Sequence, residues 1–345
     1  MERLSITLQT AYAELLEQLM ALDARRTIGQ APGSFVTKEV KGRTYYYFQY
    51  SLPGGATKQA YVGPRSRELE TLVGRYEAER SELRADRERI EELCALLRTG
   101  AGVTDAASAR VVRALADSGV FKLGGVLVGT QAFVVLGNVL GVRWRGAHSR
   151  TEDIDIAANR VEVALPQLRA SVPSALETLD MGFLPIPGFS PKEPSTSFGV
   201  RGRALRLDLI TPARGKTTGP VHIPRFDAAA APLSFVELLL EDAQPAAVID
   251  GGGALVRVPH PAQFAIHKLL VAKRRAAAFH TKREKDLTQA AHLIEALEEL
   301  RPGELRLAWK RARARGPSWA RTLREGAALL EPRHPDAHAI VRGYT

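Results

Sequence analysis

The sequence predicts an α+β fold: a mixed-sheet core, a C-terminal helical domain and an N-terminal helix–β-meander–helix extension. Three observations carry this. Short apolar strands alternate with helices between about 104 and 258, and from Pro261 onward almost every segment has a helical period. Residues 34–64 form a tyrosine-rich, glycine-punctuated patch between two long helical stretches. A chain of 345 residues suits two or three domains, with boundaries expected at 1–101, 102–259 and 260–345.

The first segment, about 1–26, places Leu4, Leu8, Tyr12, Leu15 and Leu19 at helical spacing. After the breakers Gly29 to Ser34, three β-prone runs follow, separated by Lys41-Gly42 and Pro53-Gly54-Gly55 and ending at Gly63-Pro64. Ser66 to Arg98 reads as a long charged helix. Leu69, Leu72, Val73, Tyr76, Leu83, Ile90, Leu93 and Leu97 mark its apolar stripe, which suits an arm paired with the first helix. Next come a helix (106–118), a strand (123–128), a helix (130–140), a strand (152–157) and a helical stretch (162–179). Residues 196–200 and 204–210 read as strands, 232–241 as helix, and 246–249 and 254–258 as strands. Helices are expected at 261–278, 283–299, 303–314 and 317–330.

Hydrophobic residues make up 45% and charged residues 25%, which excludes a disordered or fibrous chain. Lys and Arg number 48 against 38 Asp and Glu, a net charge of +10. That excess suits an anionic partner such as nucleotide, nucleic acid or acidic protein, and equally a solvated basic surface. The single cysteine, Cys94, excludes an intrachain disulfide and a cysteine-based zinc site, and its helical surroundings predict a buried thiol. His148, His267 and His292 lack zinc-ligand spacing. No secretion signal and no bilayer-length apolar run is present, so a cytoplasmic location without a membrane partner is expected.

The chemistry concentrates around Thr151-Glu152-Asp153-Ile154-Asp155-Ile156-Ala157. In a strand, Asp153 and Asp155 share one face and the isoleucines the other. Two carboxylates so spaced can grip a divalent cation, although the pattern also occurs on plain strand edges. The context favours the former. Upstream, Leu127-Val128-Gly129-Thr130 ends a strand and opens a helix, offering free N–H groups to a phosphate. Downstream, Asp208 lies opposite Leu205, Leu207 and Leu209 in another alternating strand. A third carboxylate on a neighbouring strand would complete a two-metal site for phosphoryl or nucleotidyl transfer.

In this order, Gly129-Thr130, Asp153-Ile154-Asp155 and Asp208 resemble the DNA polymerase β-like nucleotidyltransferase superfamily. Pro261 to Leu269, Arg274-Arg275 and Lys285-Asp286-Leu287 resemble the helical half of the abortive-infection and toxin nucleotidyltransferases. Gly33-Ser34-Phe35, Gly42 to Tyr47 and Gln59 to Pro64 resemble an uncharacterised bacterial branch with an N-terminal extension. The core resemblance covers about 104–300. It departs at Thr130, where many members have Ser or Gly, and in the long interval before Asp153, filled by a basic loop containing Arg143, Arg145 and Arg150. That loop could touch triphosphate or an RNA acceptor, or cap the sheet.

The resemblance implies an enzyme that moves NMP from an NTP to an acceptor with Mg²⁺ or Mn²⁺. Asp153, Asp155 and Asp208 would hold metal, and Gly129 and Thr130 would seat phosphates. Lys268, Arg274, Arg275, Lys285 and Asp286 would flank the nucleotide. An RNA 3′ end, a protein hydroxyl or a small molecule could accept, and a cognate antitoxin could bind. Lys268 and Arg275 lie two turns apart on one helix face. Asp286 shares an apolar stripe with Ala290, Leu293 and Leu297, so it needs a partner, and Lys268 or Arg274 is expected.

The alternative is a nucleic-acid-binding or regulatory protein on an inactive transferase fold. The meander supports a binding role in either case, because residues 34–65 carry a net +4 interleaved with five tyrosines. Alternation puts Tyr45 and Tyr47 on one face and Tyr46 and Phe48 on the other, so only one set can be core. Lys41, Arg43, Tyr45 and Tyr47 are the expected acceptor contacts.

Overall fold

The computed structural model describes residues 1–25, 31, 33–51, 56–146, 152–159, 169–188, 193–215 and 219–344. Strand β1 (Glu2–Arg3) leads into helix α1 (Ile6–Ala24), capped by the Ser5 hydroxyl. Strands β2 (Ser34–Val40), β3 (Arg43–Ser51) and β4 (Thr57–Pro64) form an antiparallel meander. Lys41 and Gly42, at φ +50° and +73°, turn its first hairpin through two left-handed residues, as tight two-residue hairpins require.

Helix α2 (Arg67–Leu97) follows, capped by Ser66, and packs on α1 as the arm the apolar stripes predict. Arg89 pairs with Glu14, and Arg25 Nη1 lies 2.5 Å from Asp86 Oδ2. Tyr12, Leu15 and Leu19 form a core with Ile90, Leu93, Cys94 and Leu97, joined by Ala247 and Ile249 of the central unit. Leu72 departs from its expected place in the stripe: it is 40% exposed, since the meander covers the Tyr76 side of that stretch of helix.

The central unit contains α3 (Ala106–Asp117), β5 (Gly125–Val128), α4 (Gly129–Val139), β6 (Val142–Arg143), β7 (Asp153–Ala158) and α5 (Val172–Glu177). It continues with β8 (Phe183–Pro185), β9 (Ser197–Val200), β10 (Arg206–Pro212), β11 (Val221–Ile223), β12 (Ala228–Leu233), α6 (Glu237–Leu240), β13 (Gln244–Val248) and β14 (Ala254–Val258). The main sheet runs β11-β12-β10-β7-β5, with β9 on the first half of β10 and β8 beyond it. The pairs β7/β10 and β10/β12 are parallel, and the others in this sheet are antiparallel, so the sheet is mixed.

Two expectations change here. Of the helix expected at 162–179, the described residues form helix only over Val172–Glu177, and 160–168 lie outside the description. Of the helix expected at 232–241 only Glu237–Leu240 is α-helical, because Pro232 and Leu233 belong to β12, where pairing with β10 outweighs local propensity.

Helices α7 (Pro261–Arg274), α8 (His280–Leu300), α9 (Glu304–Arg313), α10 (Pro317–Ala328) and α11 (Pro335–Arg342) complete the chain. One apolar cluster runs from Ile154, Ile156, Leu207 and Leu209 of the sheet to Phe264, Leu269, Leu293 and Leu297 of α7 and α8. The helices therefore share the sheet's core, which fixes the polar residues of α7 and α8 relative to the strands. No helix among the described residues is long and apolar enough to cross a membrane.

Candidate active site

Alternation along β7 buries Ile154 and Ile156 and turns Asp153 and Asp155 to the opposite face. Along β10 it buries Leu207 and Leu209 and turns out Asp208. The parallel register sets Asp155 beside Asp208 and Asp153 beside Arg206. Neighbouring strands stand about 4.8 Å apart, and residues i and i+2 about 6.6 Å, so three carboxylates and one guanidinium occupy the corners of a small rectangle. Antiparallel pairing extends the row to Val128 on one side and Ser197 on the other.

Asp208 is held from two directions. Ser197 Oγ donates to its Oδ1 at 2.5 Å and Arg206 Nε at 2.7 Å, which leaves Oδ2 for another partner. Asp155 stands in an unfavourable field. Burial pushes its carboxyl up to about 6, the charges of Asp208 and Asp153 add to the rise, and Lys268 and Lys282 oppose it. Like charges concentrated where a proton or a cation must offset them are typical of a functional site.

Gly129 closes the row. Its φ is +65°, and a Cβ there would lie 2.0 Å from Asp155 Oδ2, so glycine is required twice over. Helix α4 begins at this residue with no side-chain cap on its first turn. Its positive end therefore starts beside the carboxylates, and Thr130 follows within that buried turn.

Across from the carboxylates lies a cationic group from α7 and α8. Lys268 Nζ donates to Asp286 Oδ1 at 2.7 Å, and Arg275 Nε donates to Asp286 Oδ2 at 2.5 Å. Burial works against the charge on Asp286, yet these two cations hold its carboxyl below the usual range. The partner of Asp286 is thus Arg275 together with Lys268, not Arg274. Helix α7 ends at Arg274, and the extended backbone of Arg275 returns its side chain toward α8, while Arg274 lies 5.6 Å over the Phe235 ring. Lys285 is depressed by burial and by Lys268, against the pull of Asp153, Asp286 and Asp155, so it belongs to the same charge cluster.

The basic loop begins on a firm base. Trp144 stacks on Phe133 at 4.7 Å and on His292 at 5.9 Å, and its indole N–H donates to Phe133 O at 2.6 Å. Arg143 and Arg145 flank it beside a cavity of about 630 Å³, with Arg145 3.8 Å from Glu2, and Arg150 lies outside the described residues. Lys41, Arg43, Tyr45 and Tyr47 are on the meander, apart from the carboxylate row. A larger cavity of about 950 Å³ opens between α3 and α5 and is lined by none of the three carboxylates, so volume is a poor guide here and the charge arrangement marks the site.

Sequence reasoning passed over Ser197, Arg206 and Lys282. Lys282 was discoverable, one helical turn before Lys285 on α8. Alternation alone puts Arg206 on the Asp208 face of β10, so its bond to Asp208 was legible, whereas Ser197 acquires meaning only when β9 and β10 are known to be neighbours.

Comparison with known proteins bears on the family of the chain. No curated protein shows significant similarity to the chain. A solved structure, an antigenic nucleotidyltransferase-like protein from Paracoccidioides brasiliensis, is similar at 16% identity with a TM-score of 0.34, covering 64% of this chain and 94% of that one. A profile described as nucleotidyltransferase matches residues 106–314. The match runs from α3 to the end of α9, encloses the carboxylate row and its facing cations, and spans more than half of the sequence, so this chain belongs to the nucleotidyltransferase family.

Proposed function

We propose that the chain moves NMP from an NTP to an acceptor hydroxyl in a metal-dependent reaction that releases pyrophosphate. The observation that carries this is the register of β7 against β10, which sets Asp155 beside Asp208 with Asp153 two residues away. Among the described residues no group of three or more His, Cys, Asp or Glu side chains is drawn together as a metal site. Mg²⁺ is commonly held by one or two carboxylates with water and substrate phosphates supplying the rest, and the adjacent Asp155 and Asp208 would serve in that way. Asp153 and Asp155 would hold the ion on the triphosphate, and Asp155 with Asp208 the ion at the α-phosphate. When bound, the ions supply Lewis-acid neutralisation of the phosphates.

The chain's own groups do the remainder. The opening turn of α4 at Gly129 and Thr130 receives phosphate oxygens. Lys282 and Lys285 meet the triphosphate from α8, with Lys268 behind them. The acceptor oxygen attacks the α-phosphorus in line, the bond to the β-phosphate oxygen breaks, pyrophosphate leaves, and the acceptor proton passes toward the carboxylates. An RNA 3′ end, a protein hydroxyl and a small molecule are all compatible with this chemistry. Lys268, Arg275 and Asp286 also support kinship with the abortive-infection and toxin branch, in bacteria and in the cytoplasm where NTPs abound, and a cognate antitoxin as partner follows from that kinship alone.

The test is incubation of the full chain with each NTP labelled at the α-phosphate, Mg²⁺ or Mn²⁺, and whole-cell RNA or lysate. Label should enter one acceptor fraction with equimolar pyrophosphate, and γ-label should not. Absence of α-label from every fraction with either metal would overturn the reading in favour of a binding protein on an inactive fold. A second measurement addresses the cations. Lys285→Ala should weaken binding of a non-hydrolysable NTP about 10-fold or more, the worth of one charge-assisted hydrogen bond, with little change in melting temperature. Unchanged affinity by calorimetry removes Lys285 from the nucleotide site.

A further inference from the structure

The meander builds its own small core on one face only. Phe35 and Phe48 lie 5.1 Å apart, and both meet Tyr76 of α2 edge-on, at 5.1 and 5.8 Å. The Tyr76 hydroxyl donates to Gly33 O at 2.6 Å, tying the sheet to the helix. The opposite face needs no apolar side chains for stability, and antiparallel sheets usually leave it polar. Here it carries Tyr45, Tyr47 and Tyr61, with Tyr61 at centroid distances of 6.2 Å from Tyr45 and 5.6 Å from Tyr47. Tyr61 is 58% exposed.

The charge on this face has one sign. Lys38 Nζ sits 4.8 Å from the centre of the Tyr47 ring. The register places Arg43 and Val40 on the same side, next to the Lys41-Gly42 turn, and puts Glu39 on the other side. Described positions of the outer face hold Ser, Val, Lys, Arg, Tyr, Gln and Thr, and no carboxylate. Along α2, Tyr76 stands 14 residues before Ile90, the first α2 residue of the α1 core, so the arm holds the platform about 20 Å from that anchor. A platform carried that far out serves a macromolecule better than a mononucleotide.

We propose that Tyr45, Tyr47 and Tyr61, with Lys38 and Arg43, bind single-stranded nucleic acid. Unpaired bases stack on the tyrosine rings, and Lys38 and Arg43 neutralise the adjoining phosphates. A duplex hides its base faces and cannot use the rings. The binding is independent of the transfer reading, and where both hold, a single strand is the acceptor or its guide.

The test uses the full chain and fluorescein-labelled 12-nucleotide single strands of RNA and DNA, with the matching duplexes as competitors, in an anisotropy titration at 50 and 200 mM NaCl. Single strands should bind more tightly than duplex and weaken steeply with salt. The double variant Tyr47→Ala/Tyr61→Ala should lose about 10–100-fold in affinity, and Tyr47→Phe/Tyr61→Phe, which keeps the rings and the fold, should retain it. Lys38→Gln/Arg43→Gln should lower the salt slope by about 1.4. The titration contains neither NTP nor divalent cation, so its outcome is separate from that of the catalytic reading. Ultraviolet cross-links should map to Tyr45, Tyr47 or Tyr61. No binding at 50 mM salt, preference for duplex, cross-links confined to the Arg143–Arg145 region, or capture of an acidic protein in place of nucleic acid would each overturn the proposal.

Discussion

Asp155→Asn should lower nucleotidyl transfer at least about a thousandfold while leaving the protein folded and, without metal, at least as stable as the wild type. The loss corresponds to about 4 kcal/mol of transition-state stabilisation, a fair share for a carboxylate that holds a cation between reacting oxygens. The stability half of the expectation comes from the rectangle itself. Burial, Asp208 and Asp153 together push the Asp155 carboxyl up to about 6, so its ionised form is disfavoured in the fold. With its folded pKa above the unfolded one, stability from this group is complete below about pH 4 and lost as pH rises through about 6, a cost on the order of 2–3 kcal/mol at neutral pH. Asparagine keeps the shape beside Gly129 and removes that charge. Three readouts check this: label transfer to whichever fraction accepts in the wild type, Mn²⁺ bound in the presence of a non-hydrolysable NTP, and the melting temperature without metal. Turnover within 10-fold of wild type removes Asp155 from the chemistry, and a fall in melting temperature assigns it a structural role instead.

The same residues show what the sequence makes visible. Period two in Asp153-Ile154-Asp155 and in Leu207-Asp208-Leu209 is a local property, so the carboxylates could be placed on faces before any strand was paired. Asp286 on an apolar stripe declared its need for a partner for the same reason. Of the two expected partners Lys268 is one, but that Arg275 rather than Arg274 is the other was not legible, because it depends on where α7 stops, and helix ends move by a residue or two with little local energy. The rectangle's fourth corner, Arg206, and the Ser197 hydroxyl depend on register between strands far apart in sequence. The alanine run of β12 is a direct conflict between propensity and pairing, and the sheet prevailed. In the meander, alternation split the aromatics correctly into two faces, and the contact of Phe35 and Phe48 with Tyr76 decided which face is core.

Asp286→Ala should be the most destabilising single substitution on the helical side of the site. Asp286 is nearly fully buried and is the acceptor for both Lys268 and Arg275, in a network that crosses from α7 to α8. Removing it leaves the Lys268 ammonium, itself almost enclosed, without its counter-ion. Breaking a buried pair on one side costs about 3–5 kcal/mol, because the remaining charge keeps its desolvation penalty and loses its compensation. Lys268→Met should cost less: Asp286 keeps Arg275, and the aliphatic stem beside Phe264 is retained. The asymmetry between the two substitutions is the signature of a network centred on the carboxylate, and chemical denaturation measures it directly. The pH dependence follows with a definite sign. The folded pKa of Asp286 is held below its unfolded value, so the stability it contributes is present above about pH 4 and is lost as pH falls through the lower folded value. The Asp286→Ala variant should therefore show a flatter acid limb than the wild type. Equal losses for Asp286→Ala and Lys268→Met, with unchanged acid limbs, would mean that packing rather than charge joins α7 to α8, and that Lys268 is free to serve the nucleotide alone.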